Sequence, residues 1–434
     1  MKKERDLAEL YQDDPQRADY EVFGRIADTN RRGFLKKAGL ATLMTYLGAN
    51  IPFYKNMPSG LIPAAFAEGL SDFKIAGKNG LIVLNDRPVN AQTAAHLLDD
   101  DVTPTARHFI RNNGLPPASV DASTWTLDID GEVERPMKLS IQDLKRNFEV
   151  VSYKLQLECG GNGRGAFNPP AKGNQWTLGA VSNSEWTGVR LMDVLKAAGI
   201  KDSAVYTGHY GADSHLSGIP GKDAISRGVP IAKAMNPYSL IVFGQNGGPI
   251  HPMNGAPLRL LIPGWPGSCS QKWLNRIWVR DKVHDGTKMT GTAYRVPEYN
   301  VAPGTKVPTK DFGIINSMPV KSLITHPQTN VKLPSGTRST FVRGHAWAGD
   351  NAVSAMMISI DFGSTWTYAS LNGPPNPYSW QGWNSVVNFP THGYYEIWAK
   401  AIDSTGKEQP FAINWNPKGY LNNSMHRIAV TIAS

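Results

Sequence analysis

The sequence predicts an α+β domain followed by an all-β, immunoglobulin-like sandwich, and three observations predict it. Up to about residue 295, short runs of strand character alternate with short helical ones, joined by long connections. Between about 295 and 320 the chain turns Pro-rich and irregular, through Val296-Pro297-Glu298, Ala302-Pro303-Gly304 and Val307-Pro308-Thr309, which marks a boundary. Beyond it apolar residues recur at period two, the pattern of half-buried strands. A chain of 434 residues is more than one core organises, so two domains are expected, at 68–300 and 310–434.

In chain order, the first expected feature is an export signal. Thr29-Asn30-Arg31-Arg32-Gly33-Phe34-Leu35-Lys36-Lys37 sets an arginine pair and Phe-Leu before a mildly apolar stretch from Ala38 to Phe53, and Ala65-Phe66-Ala67 has the small-residue pattern of a cleavage site. Residues 1–67 thus read as a twin-arginine signal peptide that engages the twin-arginine translocase. The competing reading is an exposed arginine pair ahead of an ordinary amphipathic helix. The stretch is too weakly apolar to span a bilayer, and no later segment is a membrane helix. A periplasmic chain with no membrane attachment after cleavage is expected.

Next, Trp125–Gly131 reads as a strand, and Ser140 followed three residues later by Asp143 is a helix-start signature. A second helix is expected from Arg190 to Ala198, closed by Gly199, and a compact apolar strand from Pro257 to Ile262, ended by Pro263-Gly264. In the sandwich, alternating runs at 355–361 and 395–401 are separated by turns at Asp361-Phe362-Gly363-Ser364 and Asp403-Ser404-Thr405-Gly406.

The chain carries 45 Lys and Arg against 36 Asp and Glu, a net +9. These charges are spread rather than gathered in runs, which argues against nucleic acid and suits an anionic substrate or an acidic partner. Two cysteines, Cys159 and Cys269, form no disulfide framework, although a lone bridge between them is a competing arrangement in an oxidising compartment. There is no Cys-x-x-Cys-His, so no haem is expected on this chain, and the cysteines are too few for an iron–sulfur cluster.

Cys159 sits in Leu157-Glu158-Cys159-Gly160-Gly161-Asn162-Gly163-Arg164. The glycines clear side chains where something bulky approaches the backbone, and Arg164 supplies charge that favours thiolate. That suits a metal ligand. A small buried hydrophobe in a Gly-rich turn is the other reading of the same eight residues.

Several motifs in order resemble the sulfite oxidase family of molybdenum enzymes from about residue 85 to the C-terminus. They are His108-Phe109-Ile110-Arg111-Asn112-Asn113, Cys159-Gly160-Gly161-Asn162-Gly163-Arg164, Trp176, Ser184-Glu185-Trp186-Thr187-Gly188-Val189-Arg190-Leu191, Lys272-Trp273-Leu274, Trp415-Asn416-Pro417-Lys418-Gly419 and Met425-His426-Arg427. The resemblance implies a mixed α/β molybdopterin-binding domain followed by a dimerisation domain. It also implies one molybdenum per chain on a molybdopterin, with the Cys159 thiolate as metal ligand.

The same resemblance assigns the anion pocket to Arg111, Arg164, Trp176, Tyr294 and Lys418, the last standing where the family commonly has an arginine. It assigns cofactor contacts to Phe109, Arg111, Asn112, Asp213, Asn254, Arg259, Ser270 and Lys272. Asn254 departs from the histidine that many members carry there. Cys269 is read as structural, and His209, His215 and His345 as hydrogen-bonded loop histidines without a role.

The activity implied is oxidation of sulfite to sulfate, with electrons passed to a separate c-type cytochrome by a homodimeric enzyme. The alternative is reduction of sulfoxides or turnover of another sulfur oxyanion. Nitrate reduction fits less well, because that branch usually fuses electron-carrying domains to this core. A non-catalytic secreted binding protein is the rival from another class.

Overall fold

The computed structural model describes residues 73–434, so the expected export signal lies outside the described residues. A three-stranded sheet opens the fold, from Leu81–Asp86, Val89–Thr93 and Ile110–Arg111. Two five-stranded sheets follow. In one, Met137–Ser140, Thr126–Gly131, Leu274–Arg280, Tyr206–Gly211 and Gly228–Pro230 lie side by side, with Thr126–Gly131 and Leu274–Arg280 parallel. In the other, Gly248–Pro249, Leu240–Gln245, Val181–Arg190 and Val150–Glu158 lie in that order, and Arg259–Leu261 pairs with Leu240–Gln245.

Both expected helices form, each for a local reason. The first spans Ile141–Asn147, and Ser140 caps it reciprocally: its hydroxyl accepts from the Asp143 amide at 3.1 Å, while its own amide donates to the Asp143 carboxylate at 3.0 Å. The second spans Leu191–Ala198, with Leu191, Val194, Leu195 and Ala198 buried at helical spacing and Gly199 ending it at φ +72°. The expected strand at 257–262 shortens to Arg259–Leu261, because Pro257 has no N–H to give a ladder and pairing begins at Arg259 opposite Val242.

Leu127, Ile129, Leu144, Leu191, Val194 and Ile277 meet in one apolar core between these helices and the sheet that holds Thr126–Gly131. A second cluster packs Leu155, Leu157, Trp176, Trp186 and Leu261 around Cys159.

The C-terminal part is a sandwich of two sheets. One holds Lys321–His326, Ser339–Trp347, Gln381–Asn388 and Ser370–Leu371; the other holds Val331–Leu333, His426–Ile432, Gly393–Asp403, Val353–Ser359 and Thr367–Tyr368. Inward residues from both, including Val342, Met356, Trp383, Ile397 and Val430, form its core. Both expected turns close with backbone hydrogen bonds, Ser364 to Asp361 at 3.2 Å and Gly406 to Asp403 at 3.0 Å.

One competing arrangement does not form, and one expectation needs correction. Cys159 and Cys269 are both free thiols, each buried, so no bridge joins them. His345 is not a hydrogen-bonded loop histidine: neither ring nitrogen has a partner, and the ring lies flat on Trp380 at a centroid distance of 4.0 Å. It lies on the strand Ser339–Trp347, and its stacking on Trp380 is the contact that orients the ring.

Candidate active site

The strand Val150–Glu158 pairs in unbroken register with Val181–Arg190, from Val150 opposite Val189 to Glu158 opposite Val181. It delivers Cys159 at its end, where the Cys159 amide donates to the Ala180 carbonyl at 2.9 Å and its carbonyl accepts from Asn162 at 2.8 Å. The turn is thereby fixed before any ligand arrives. Glu158, one residue earlier, is wholly buried and bonds Lys321 at 2.8 Å, Trp347 Nε1 at 2.8 Å and Asn162 Nδ2 at 3.0 Å.

Cys159 opens onto a narrow cleft whose enclosed volume is about 50 Å³. Phe109, Arg111, Asp213, Asn254, Arg259, Ser270, Lys272 and Tyr294 line it with Cys159, so these nine expected residues come together. Asn112 lies just behind, its side-chain oxygen accepting from Lys272 Nζ.

Arg164, Trp176 and Lys418 are placed differently: none lines the cleft. Arg164 turns into a socket walled by glycines, where an added Cβ at Gly161, Gly173 or Gly419 would fall within 2.4, 2.9 or 2.7 Å of its side chain. There it donates to the carbonyls of Lys418 at 3.1 Å and Asn174 at 3.2 Å and stacks on Tyr420. Gly161 thus makes room for Arg164 itself, and Gly163, at φ +85°, for Asn422. Lys418 meets Arg164 through its backbone. Trp176 is fully buried in the Cys159 cluster, and its indole N–H has no partner.

The cation beside the thiol is Arg111 rather than Arg164. Burial works against its charge, but Tyr294 and Cys159 more than offset this and hold its pKa above the ordinary value. Arg111 also donates to Asn113 Oδ1 at 2.8 Å and to the Tyr294 hydroxyl at 3.4 Å.

The other cations show the opposite strain. Burial pushes Arg259 down to about 9. Burial and then Arg259 push Lys272 well below the usual lysine range and Lys78 down to about 7. Burial and then Arg111 bring Lys288 down to about 8. Asp213 is the acid in the cleft lining, and burial raises it even against the pull of Lys272. Three of these cations, Arg111, Arg259 and Lys272, line one concave site against a single acid, and such a site is built to be completed by anions.

Polar atoms without partners point the same way. Arg259 Nε, Ser268 Oγ and Gln271 Oε1 are buried and unbonded, and all three residues line the cleft. Sequence reasoning gave no role to His108, Asn113, Ser268, Gln271, Lys78 or Lys288. His108 and Asn113 flank Phe109–Asn112 in the same motif and were within its reach. Lys78 and Lys288 are lone loop lysines, and nothing in their neighbours sets them apart.

The sequence carries two family matches: an oxidoreductase molybdopterin binding domain over residues 113–288 and a Mo-co oxidoreductase dimerisation domain over 313–433. The sulfite oxidase of Gallus gallus is 30% identical over 364 residues, covering 80% of this chain and 77% of that protein. The chain belongs to the sulfite oxidase family of molybdenum enzymes.

Other members of the family set its breadth. Mitochondrial sulfite oxidase of Rattus norvegicus is 31% identical over 81% of this chain, which spans only 66% of that relative. A nitrate reductase of Oryza sativa is 31% identical over 84% of this chain and 42% of its own length. Among solved structures, the sulfane dehydrogenase SoxCD of Paracoccus pantotrophus superposes with a TM-score of 0.66 at 25% identity, over 88% of this chain and 95% of that one.

The cleft suits the family's cofactor. One thiol at a buried turn offers a soft ligand to a redox metal, while Arg259, Lys272, Ser268 and Gln271 offer donors and acceptors to a polar heterocycle bearing a phosphate.

Proposed function

We propose that this chain is a periplasmic, molybdenum-dependent sulfite dehydrogenase that converts sulfite and water to sulfate, two protons and two electrons. A separate c-type cytochrome accepts the electrons, one at a time. The observation that carries this reading is the pairing of a single buried thiol with a cleft wall of cations, against one acid, Asp213. A doubly charged oxyanion supplies the charge such a wall lacks.

In this reading Cys159 holds the metal, and the molybdenum cofactor, when bound, supplies the two-electron redox step. Asn112, Asn254, Arg259, Ser270 and Lys272 hold the cofactor, with Phe109 against it and Asp213 beside them in the cleft. Arg111 and Tyr294 face the substrate, charge and hydroxyl together. Arg164, Trp176 and Lys418 act from behind: Arg164 fixes the turn after Cys159 and ties it to the chain at Lys418. The family match to a dimerisation domain supports a homodimer. The arginine pair at 31–32 supports export through the twin-arginine translocase.

The test is metal analysis of the purified holoenzyme together with sulfite-dependent reduction of a c-type cytochrome, run beside Cys159→Ser. Molybdenum near one per chain, and activity reduced at least about a thousandfold by the substitution, is the expected result. Molybdenum without sulfite turnover, but with reduction of sulfoxides, would move the protein to the alternative; a neutral sulfoxide, however, has no use for the cationic wall. Turnover of a sulfane-sulfur compound instead would align it with the Paracoccus neighbour.

A further inference from the structure

We infer that Lys288 is a further oxyanion-binding residue of this site, one that none of the sequence motifs contains. The inference rests on the reading of the cleft as an oxyanion site. Lys288 does not itself line the cleft but stands behind Asn113, which does: its Nζ donates to Asn113 Oδ1 at 2.8 Å. The same oxygen accepts from Arg111 Nη2 at 2.8 Å and from the Tyr294 hydroxyl at 3.2 Å. An amide oxygen has two lone pairs, so three donors over-subscribe it. Two of the three are cations.

Among the described residues neither Arg111 nor Lys288 forms a salt bridge, and the remaining N–H groups of Lys288 have no acceptor. Two positive groups held about one neutral oxygen is not the arrangement of a structural ion pair. It is the arrangement of donors gathered where an anion docks, with Asn113 standing in for it. Sulfite and sulfate carry two charges and several acceptor oxygens, enough to accept a hydrogen bond from each of the three donors.

The backbone holds Lys288 in this position at a cost. It adopts φ +66°, a left-handed conformation uncommon for a non-glycine residue. The neighbouring Met289 is fully buried, and Arg227 Nη1 donates to the Lys288 carbonyl at 3.3 Å. Burial and Arg111 depress the amine, which an arriving dianion would reverse.

Sulfate is the probe, because it is a dianion that the enzyme does not oxidise, so its binding is measured whether or not sulfite turns over. Isothermal titration of holoenzyme with sulfate is expected to show the dissociation constant rising about 10-fold or more in Lys288→Met and staying within about 3-fold of the parent in Lys288→Arg. KM for sulfite should rise with it while kcat changes by less than about 3-fold. Lys288→Gln, which keeps a donor to Asn113 without the charge, gives the same comparison if Lys288→Met does not fold.

Unchanged sulfate affinity in both uncharged variants overturns the proposal, as does a parent enzyme that binds no sulfate. A parent that binds sulfate through Lys288 yet oxidises no sulfite would leave this assignment standing and defeat the dehydrogenase reading instead.

Discussion

His284 illustrates how far single residues here are locked into one protonation state. Its Nδ1 faces Arg280 Nη1 at 2.9 Å, which can only donate, so Nδ1 must accept; its Nε2 pairs with Ser226 Oγ at 2.8 Å. The ring is packed so closely among glycines that a Cβ at Gly208 or Gly286 would lie 2.4 or 2.3 Å from it. Burial, with Arg280 next, brings its pKa down to about 4, and burial brings His209 to about 3 and His345 to about 4. The unfolded chain takes up these protons near pH 6.5, whereas the folded one does not until near pH 4 for His284 and His345 and near pH 3 for His209. Stability is therefore complete above pH 6.5 and falls as pH drops towards 4, by up to about 1.4 kcal/mol per pH unit for each histidine. Thermal midpoints recorded from pH 7 to pH 4 should show this slope, and it should be shallower in His284→Gln. An equal slope in that variant would mean that His284 is protonated in the fold.

At the scale of elements, the turn after Cys159 is held by a segment distant in sequence. Leu421 donates its amide to the Gly160 carbonyl at 2.9 Å, Asn422 Nδ2 donates to the Gly163 carbonyl at 2.7 Å, and Arg164 reaches back to Lys418. Gly419 is one point where the two strips of chain pass close together. It has φ +60°, and a Cβ there would meet Arg164 Cγ at 2.7 Å and Ala171 Cβ at 2.8 Å. Gly419→Ala is expected to cost about 2–4 kcal/mol, combining overpacking with left-handed strain. Gly336→Ala isolates the strain, since Gly336 has φ +79° with nothing within 4 Å of the added atom, and should cost about 1–2 kcal/mol. Chemical denaturation of the two variants measures the difference; equal losses would show that the turn yields to the added methyl. The period-two runs, the capping pair Ser140 and Asp143, and the Gly-rich run after Cys159 were readable from sequence because each is a local pattern. The socket around Arg164 was not, because Gly173 and Gly419 reach it only through the fold. Lys288 was unreadable for the same reason: its partners Asn113 and Arg111 lie far away along the chain.

Across the whole molecule, the C-terminal sandwich is fastened to the thiol turn by a buried ion pair. Lys321 and Trp347 are cross-strand partners in the first sandwich sheet, and both side chains converge on Glu158, the residue before Cys159. The Glu158 and Lys321 side chains are 1% and 2% exposed, so water solvates neither. A pair this deep adds little net stability over an apolar isostere, yet removing one partner strands the other. Lys321→Met leaves the Glu158 carboxylate with only the Trp347 and Asn162 donors and should cost about 3–5 kcal/mol. The loss falls on the junction of the two domains rather than on either core, since Lys321 also donates to the Asn162 carbonyl at 3.3 Å within the same turn. Calorimetry should therefore show the amino-terminal domain unfolding separately from the sandwich in Lys321→Met, at a lower temperature than the parent transition. The freed turn should also retain less molybdenum through purification. A variant that unfolds in one transition, at the parent temperature and with full metal content, would show that the two domains hold Cys159 in place without this pair.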